Sequence, residues 1–449
     1  MAVQEIALSM LEKYPLCDNC LGRQFALLGR GLENNQRGRA LKIAIIMEAS
    51  TLTLSKNVKG SRQLKILASN GFSNDAEETL RQYGKHIPGE KSETCFLCEN
   101  KFQSVEELVK KILNKLVNHE YTSFLVGVEL PVSVVEREDE FKARFNLGYS
   151  ESIKHEFGRL LGKQIEALTG KTVDYKKPDI AIIVNPWIEK VRLQINPLFV
   201  AGRYRKLVRD IPQSKWFCSR CRGRGCEKCG GTGKLYPESV EELVSKPLLK
   251  AAEGEKTYFH ASGREDVDAR MLGTGRPFVV EVSKPRKRFL NLVELKSSVN
   301  LIGKGKIKVS GLRFTSRDFV RKLKKAESAK KDYRVLVEFE RDVSDDELLV
   351  LEEQLTGTIV KQQTPFRVLH RRADLTREKY IYWVKVKKVA RNQAEIKVRC
   401  QGGLYVKELV SGDEGRTKPN VSELLDTGAK TLKLDVLKVI VNLEKVKNV

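Results

Sequence analysis

A chain of 449 residues, 41% of them apolar, holds enough material for two or three domains that each bury a core. Its longest apolar stretch, residues 124–135, is broken by Glu129 and Pro131 and falls short of the ~18 residues of a membrane span. Its first residues lack the basic region and apolar core of a secretion signal, so a soluble cytoplasmic protein is expected. The net charge of +24 is uneven: residues 1–200 carry 28 Lys+Arg against 25 Asp+Glu, and residues 201–449 carry 54 against 33. A basic half of that kind suits a partner with a phosphate backbone, although lysine-rich surfaces also serve solubility.

In chain order, residues 2–13 pattern as a short amphipathic helix. Cys17 and Cys20 follow in a C-x-x-C pair, and Cys95 and Cys98 form a second pair much later. Neither pair closes a site alone, but together they supply the four thiolates of a structural zinc, a spacing that disulfides do not favour in a large intracellular chain. Between them residues 34–39 read as a polar loop. A helix is predicted from Ser104 through Leu113, a β-rich stretch from Phe124 to Val135, and a helix from Glu151 to Leu168 ended by Gly170. Strands at 179–184 and 191–195 flank the turn residues Asn185 and Pro186, which makes this half α+β.

Residues 200–209 are dense in positive charge with one aromatic, Tyr204, and fit an RNA-contacting arm. Cys218, Cys221, Cys226 and Cys229 then form two C-x-x-C pairs only four residues apart, the spacing of a compact zinc knuckle. The ninth cysteine, Cys400, reads as a small buried apolar residue. A helix from Ser239 to Ala252 leads to residues 262–278, where acids, bases and glycines mix without helical or strand period before a β-rich run from Phe278. This reads as a loop feeding an active site, its three arginines placed to neutralise Asp266 and Asp268 or to hold phosphates. Beyond it come a basic helix from Arg317, a strand from Tyr333 to Phe339, a helix opened by a capping box at Ser344–Glu347, and strands at 380–389 and 394–398.

Gly263-Arg264-Glu265-Asp266 resembles the G/R-x-x-D signature of pseudouridine synthases. The full run GREDVDARMLGTGRPF resembles the catalytic loop of the archaeal and eukaryotic tRNA pseudouridine synthases of the tenth family. Residues 362–372 (QQTPFRVLHRR), 403–409 (GLYVKEL) and 412–420 (GDEGRTKPN) resemble that family in the same order, closely over residues 195–449 and more loosely before. The resemblance implies an α+β protein with an N-terminal domain, 1–200, holding a split four-cysteine zinc site and a THUMP-like RNA-binding part. It implies a synthase domain, 201–449, with a mixed, mainly antiparallel sheet and the zinc knuckle inserted at 218–229.

The same resemblance makes Asp266 the catalytic carboxylate, with Asp268 as alternate. It places Tyr333 where the class keeps a tyrosine that stacks on the flipped base, and Arg264 beside the substrate. Gly403-Leu404-Tyr405-Val406-Lys407 resembles the G-T-Y-I-R run of several synthase families, so that Tyr405 lines the uracil pocket and Lys407 pairs with the catalytic aspartate, without the bidentate geometry of arginine. It implies tRNA as partner, uridines 54 and 55 of the T arm as targets, a monomer, structural zinc, and no organic cofactor. Rival readings fit less well. A methyltransferase would need its Gly-rich turn after a strand and before a helix, whereas Gly273–Pro277 precedes a strand. The five histidines are scattered, which disfavours catalytic zinc. A zinc-stabilised RNA-binding protein without catalysis is the alternative, and it would be indifferent to Asp266.

Overall fold

The helix Val3–Lys13 buries Ala7, Met10 and Leu11, a stripe at helical spacing, as its sequence predicts. The structure, a computed structural model, describes residues 2–89, 92–325 and 329–440. Its contacts separate into a unit of residues 1–196 and a unit of residues 197–449.

Within the first unit, residues 34–39 are not the expected loop but the start of the 21-residue helix Asn34–Leu54. Gln36 closes a capping box on the Glu33 amide. Arg37 turns back to donate to the carbonyls of Leu28 (2.8 Å), Gly29 (3.0 Å) and Leu32 (3.1 Å). Gly38 is there for close packing and not for a turn, since a Cβ at that position would stand 2.0 Å from the Asp18 carbonyl oxygen. The apolar stretch from Phe124 to Val135 also divides. Strand β1 is Ser123–Val128, and Pro131, whose missing N–H is harmless at a helix start, caps the helix Val132–Phe145. The helix Ile153–Thr169 runs from a Ser152 side-chain cap to Gly170 at φ +66°, close to expectation. Strands β2 (Thr172–Val173) and β3 (Ile180–Asn185) lie parallel to β1, and β4 (Lys190–Ile195) returns antiparallel to β3.

The second unit is built on a ten-stranded sheet. Its strands are β5 (Leu198–Lys206), β6 (Lys256–Ala261), β7 (Arg270–Ser283), β8 (Ile307–Thr315), β9 (Lys330–Phe339), β10 (Ile359–Gln363), β11 (Thr376–Ala390), β12 (Gln393–Cys400), β13 (Thr417–Lys418) and β14 (Ala429–Ile440). The order is β13-β10-β11-β12-β9-β14-β7-β5-β8, with β6 also on β7. The β14–β7 pairing is parallel and the others antiparallel, so the sheet is mixed and mainly antiparallel. A small apolar cluster packs helix Arg317–Lys325 on β5 and β7, and two larger ones form elsewhere on the sheet. One packs helix Asp345–Leu355 and helix Val406–Ser411 with β9, β11 and β12; the other packs helices Val240–Ala252 and Leu292–Ile302 with β5, β7 and β8. Tyr333 on β9 touches both, so the middle of the sheet is where they meet.

Two sequence expectations change here. Residues 200–209 are largely β5, an interior strand between β7 and β8 with residues 198–202, Tyr204 and Lys206 buried, and not a projecting arm. The aperiodic run 262–278 is a loop only to residue 269, because β7 already begins at Arg270. Its glycines hid the strand. Gly273 (φ +50°) and Gly275 (φ +72°) stand where a Cβ would meet the carbonyl oxygens of Leu437 and Tyr204 at 2.1 and 2.7 Å, so they admit neighbouring strands to a bent β7.

Candidate active site

The loop 262–269, between β6 and β7, has carbonyls that no adjacent strand pairs, so each needs another donor. Arg276 Nη1 donates to Ser262 O (2.7 Å) and Gln213 Nε2 to Gly263 O (3.0 Å). Lys206 Nζ donates to Asp266 O (3.1 Å) and Val267 O (2.9 Å), and Arg209 Nη1 to Asp268 O (2.7 Å). Glu265 points into the protein, where Arg276 Nε (2.8 Å) and the Tyr204 hydroxyl (2.9 and 3.0 Å) donate to its carboxylate. Burial, then the Glu265 charge, pushes the Tyr204 phenol well above its ordinary range, which keeps it a donor. Burial also brings the Lys206 ammonium down to about 8. Lys206 and Arg209 belong to the basic segment expected to contact RNA; their charge holds the loop instead.

With Glu265 anchored inward, Asp266 faces a cavity of about 720 Å³. Its Oδ2 lies 3.2 Å from Arg367 Nη1 and 3.6 Å from Lys407 Nζ. Lys407 sits closer to Asp268, at 2.6 Å. Burial opposes ionisation of Asp268, but the Lys407 hydrogen bond and charge outweigh it and hold the carboxyl below its ordinary value. Arg367 is fixed from behind by Glu408, with Nε to Oε1 at 2.5 Å and Nη2 to Oε2 at 3.4 Å. Of the loop's own arginines, Arg276 is taken by Glu265, Arg270 by Asp435 (2.8 and 2.9 Å), and Arg264 lies over the Trp216 ring at 5.6 Å. The cations beside Asp266 therefore include Arg367 and Lys407, brought from far along the chain.

The cavity walls are apolar at Ala269, Leu404, Val406, Leu434 and Val436. Tyr333 faces it from β9; burial, then nearby negative groups that include Asp266, raises its phenol above the ordinary range. Tyr405 lines it too, its backbone N–H donating to Gln362 Oε1 (2.8 Å) and its carbonyl accepting from Gln362 Nε2 (3.0 Å). Lys331, Arg372, Arg377 and Lys379 add positive charge to the lining. A carboxylate among apolar walls with a basic surround suits a nucleoside whose base is enclosed and whose phosphates remain outside.

Comparison with known proteins agrees with that chemistry. The sequence profile described as Pus10, C-terminal, matches residues 199–440, and that described as Pus10 THUMP domain, archaeal, matches residues 108–185. A protein of Methanocaldococcus jannaschii named tRNA pseudouridine synthase Pus10 is 43% identical over 441 residues, covering 96% of this chain and 93% of its own length. The chain belongs to the Pus10 family. A Methanothrix thermoacetophila relative of the same name is 40% identical over 96% of this chain and 93% of its own. The Pus10 profiles thus fall one in each unit, the THUMP match covering helix Val105–Leu116 in part and running through β3. A solved Cbf5-Nop10-Gar1 complex is similar at 15% identity and a TM-score of 0.29, over 53% of this chain and 48% of that one.

Both four-cysteine sets of this Pus10 chain come together. In each, the four sulfurs lie within 4.8 Å of one another. Cys17 and Cys98 sulfurs are 3.6 Å apart, and Cys218–Cys226 and Cys221–Cys229 are 3.8 Å apart. A tetrahedral ion with ~2.3 Å metal–sulfur bonds sets sulfurs ~3.8 Å apart, whereas a disulfide would need ~2.05 Å. Backbone amides point at the sulfurs, Gly225 N to Cys221 (3.3 Å) and Gly233 N to Cys229 (3.2 Å), as a ligated thiolate requires. Burial opposes ionisation of Cys229, yet the amides of Cys226 and Gly233 help bring its thiol down to about 6. Both clusters can hold a metal ion.

Sequence reasoning placed Asp266, Tyr333, Tyr405 and Lys407, and the structure brings them to one cavity; Arg264 lines it as well. It missed the roles of Arg367, Glu408, Lys206, Glu265 and Gln362. Arg367 and Gln362 lie in the QQTPFRVLHRR motif, but nothing in one sequence says which cation reaches which carboxylate.

Proposed function

We propose that this tRNA pseudouridine synthase acts on uridines 54 and 55 of the T arm and that Asp266 carries the reaction. The observation that carries the reading is the Asp266 carboxylate, on a loop whose carbonyls at residues 262, 263, 266, 267 and 268 accept side-chain donors, facing a partly apolar cavity between Arg367 and Lys407. Isomerisation breaks the N1–C1′ bond, turns the base, and joins C5 to C1′. The C5 proton leaves and N1 gains one, so the product is an isomer and no redox or phosphate energy enters. One carboxylate serves, either by attacking C1′ or by taking a sugar proton.

Each wall has a task. Tyr333 stacks on the flipped uracil, with Leu434 and Val436 excluding water beneath it. Tyr405, fixed by Gln362, closes the pocket edge. Arg372, Arg377 and Lys379 take the flanking phosphates, where charge sets register without reading sequence. Both four-cysteine clusters are structural zinc sites, since four thiolates leave no open position for a reacting water. Expected on unmodified tRNA transcript is pseudouridine at positions 54 and 55, absent with Asp266→Asn, whose tRNA affinity stays within about tenfold because every cation that meets phosphate is still in place. Full turnover in Asp266→Asn, or modification confined to other positions, would refute the assignment.

A further inference from the structure

The Lys407 position departs from the arginine of the G-T-Y-I-R run, and the nearer cation at Asp266 is a different residue. We infer that Arg367, anchored by Glu408, is the positioning residue for the Asp266 carboxylate, and that Lys407 serves mainly Asp268. The inference rests on Asp266 being the reacting group.

The geometry carries it. Arg367 Nη1 is 3.2 Å from Asp266 Oδ2 while Lys407 Nζ is 3.6 Å away, and Lys407 spends its short contact, 2.6 Å, on Asp268. The guanidinium plane is fixed by two bonds from the far side, Nε and Nη2 to Glu408, leaving Nη1 to reach the site. A lysine offers a point charge and cannot bind two carboxylates through one rigid fork. Glu408 has no solvent role, its side chain being 5% exposed, and it is carried on the helix Val406–Ser411 one residue after Lys407. The same helix therefore presents a cation to the loop and an anion that steers a second cation. Arg367 also lies 5.8 Å from the Tyr405 ring centre, so its plane is bounded by the pocket edge. Burial works against its charge, but Glu408 and Asp266 outweigh that and raise it above its ordinary range.

A carboxylate that must meet one sugar atom gains from being held in one rotamer, and loss of that orientation slows chemistry more than binding. The test uses the full chain and unmodified tRNA transcript under single-turnover conditions, with affinity measured separately. Arg367→Ala is expected to slow pseudouridine formation roughly 100-fold and to weaken tRNA binding less than about tenfold. Millimolar guanidinium ion is expected to restore part of the rate, while sodium at equal ionic strength does not. Glu408→Gln, which keeps shape and removes the anchoring charge, is expected to slow the reaction in the same direction with the same binding. Lys407→Ala is expected to cost less than Arg367→Ala.

Three results would overturn the inference: rates unaffected in Arg367→Ala, slower rates matched by equally weakened affinity, or a larger defect in Lys407→Ala than in Arg367→Ala. If Arg367→Ala does not fold, Glu408→Gln decides by the same criteria. Wild type and Asp266→Asn run beside these variants. An inactive wild type or an active Asp266→Asn sinks the functional reading itself, whereas an active wild type, a dead Asp266→Asn and an unaffected Arg367→Ala sink only the positioning role.

Discussion

Removing the Glu265 carboxylate alone is expected to be among the most destabilising single changes in the second unit. Its side chain and that of Arg276 are 0% and 1% exposed, so Glu265→Ala leaves a charged guanidinium in the interior with one fewer acceptor and takes the acceptor from the Tyr204 O–H, whose oxygen still accepts from Gln213 Nε2 (2.7 Å). Breaking a buried ion pair from one side costs about 3–5 kcal/mol, because the survivor keeps its desolvation cost. Each kcal/mol shifts the melting point of a domain of this size by roughly 2–4 °C, so the expected drop is about 6–20 °C. The informative control is the double variant Glu265→Leu with Arg276→Met, in which no charge remains to be stranded. It is expected to regain at least half of the missing stability, while isomerisation stays impaired because Ser262 O no longer has its Arg276 donor. Thermal unfolding of the full chain, paired with pseudouridine formation well below the transition, measures both. A drop under ~2 °C in Glu265→Ala, or a double variant less stable than the single one, would refute the view that the buried pair anchors the loop.

Lys206 gives a pH dependence. Its folded value of about 8 is below the ordinary lysine value, so between the two the unfolded chain holds a proton the folded one has released. Stability contributed by this group therefore rises with pH across that window. Activity is expected to move the other way above pH 8, since the ammonium serves three carbonyls, Ile211, Asp266 and Val267, and a neutral amine has only two N–H bonds; stability and rate measured together from pH 7 to 9.5 check this against Lys206→Met, which should lose the alkaline limb. Metal analysis is expected to give two zinc ions per chain, one after Cys218→Ser with Cys221→Ser. Chelation is expected to melt the first unit more than the second, because Cys20, Cys95 and Cys98 belong to its apolar core while Cys221, Cys226 and Cys229 of the knuckle are only half-buried. Neutralising Arg372, Arg377 or Lys379 is expected to reduce the slope of log affinity against log salt by about 0.7–0.9 for each phosphate left without its cation, read by tRNA binding at several salt concentrations.

Local signals carried far in this chain. The capping box at Ser344, the side-chain cap at Ser152 and the glycine at 170 act within a few residues of themselves, and the helices they bound stand where their patterns put them. Misreadings arose where a residue's reason lies elsewhere in the chain. Gly38 looks like a turn until the Asp18 backbone is seen against it, and Gly273 and Gly275 look like a loop until Leu437 and Tyr204 close in. Pro131 and the apolar residues after it suit strand or helix equally until packing decides. The site divides in the same way. Asp266 stands in a contiguous motif, but its partners Arg367 and Lys407 lie about a hundred or more residues on, and no local pattern pairs an acid with a base at that separation.

The uneven charge also takes on a different meaning once its internal consumers are known. Lys206 and Arg209 belong to the basic segment that looked like an RNA contact, yet they donate to the loop, and Arg203 donates to the carbonyls of Thr274, Gly275 and Val439. Arg209, Arg270 and Arg334 converge on Asp435, whose carboxyl they bring down to about 2 against the effect of its burial. Such cations are fixed by the fold, and Lys206 and Arg209 hold the loop that carries Asp266. What remains for RNA is the charge not committed inside. The cavity lining also includes Arg372, Arg377 and Lys379, so position along the chain says little about which lysines and arginines meet phosphate. Two roles for positive charge, holding the loop of Asp266 and meeting the nucleic acid, are therefore interleaved in one sequence.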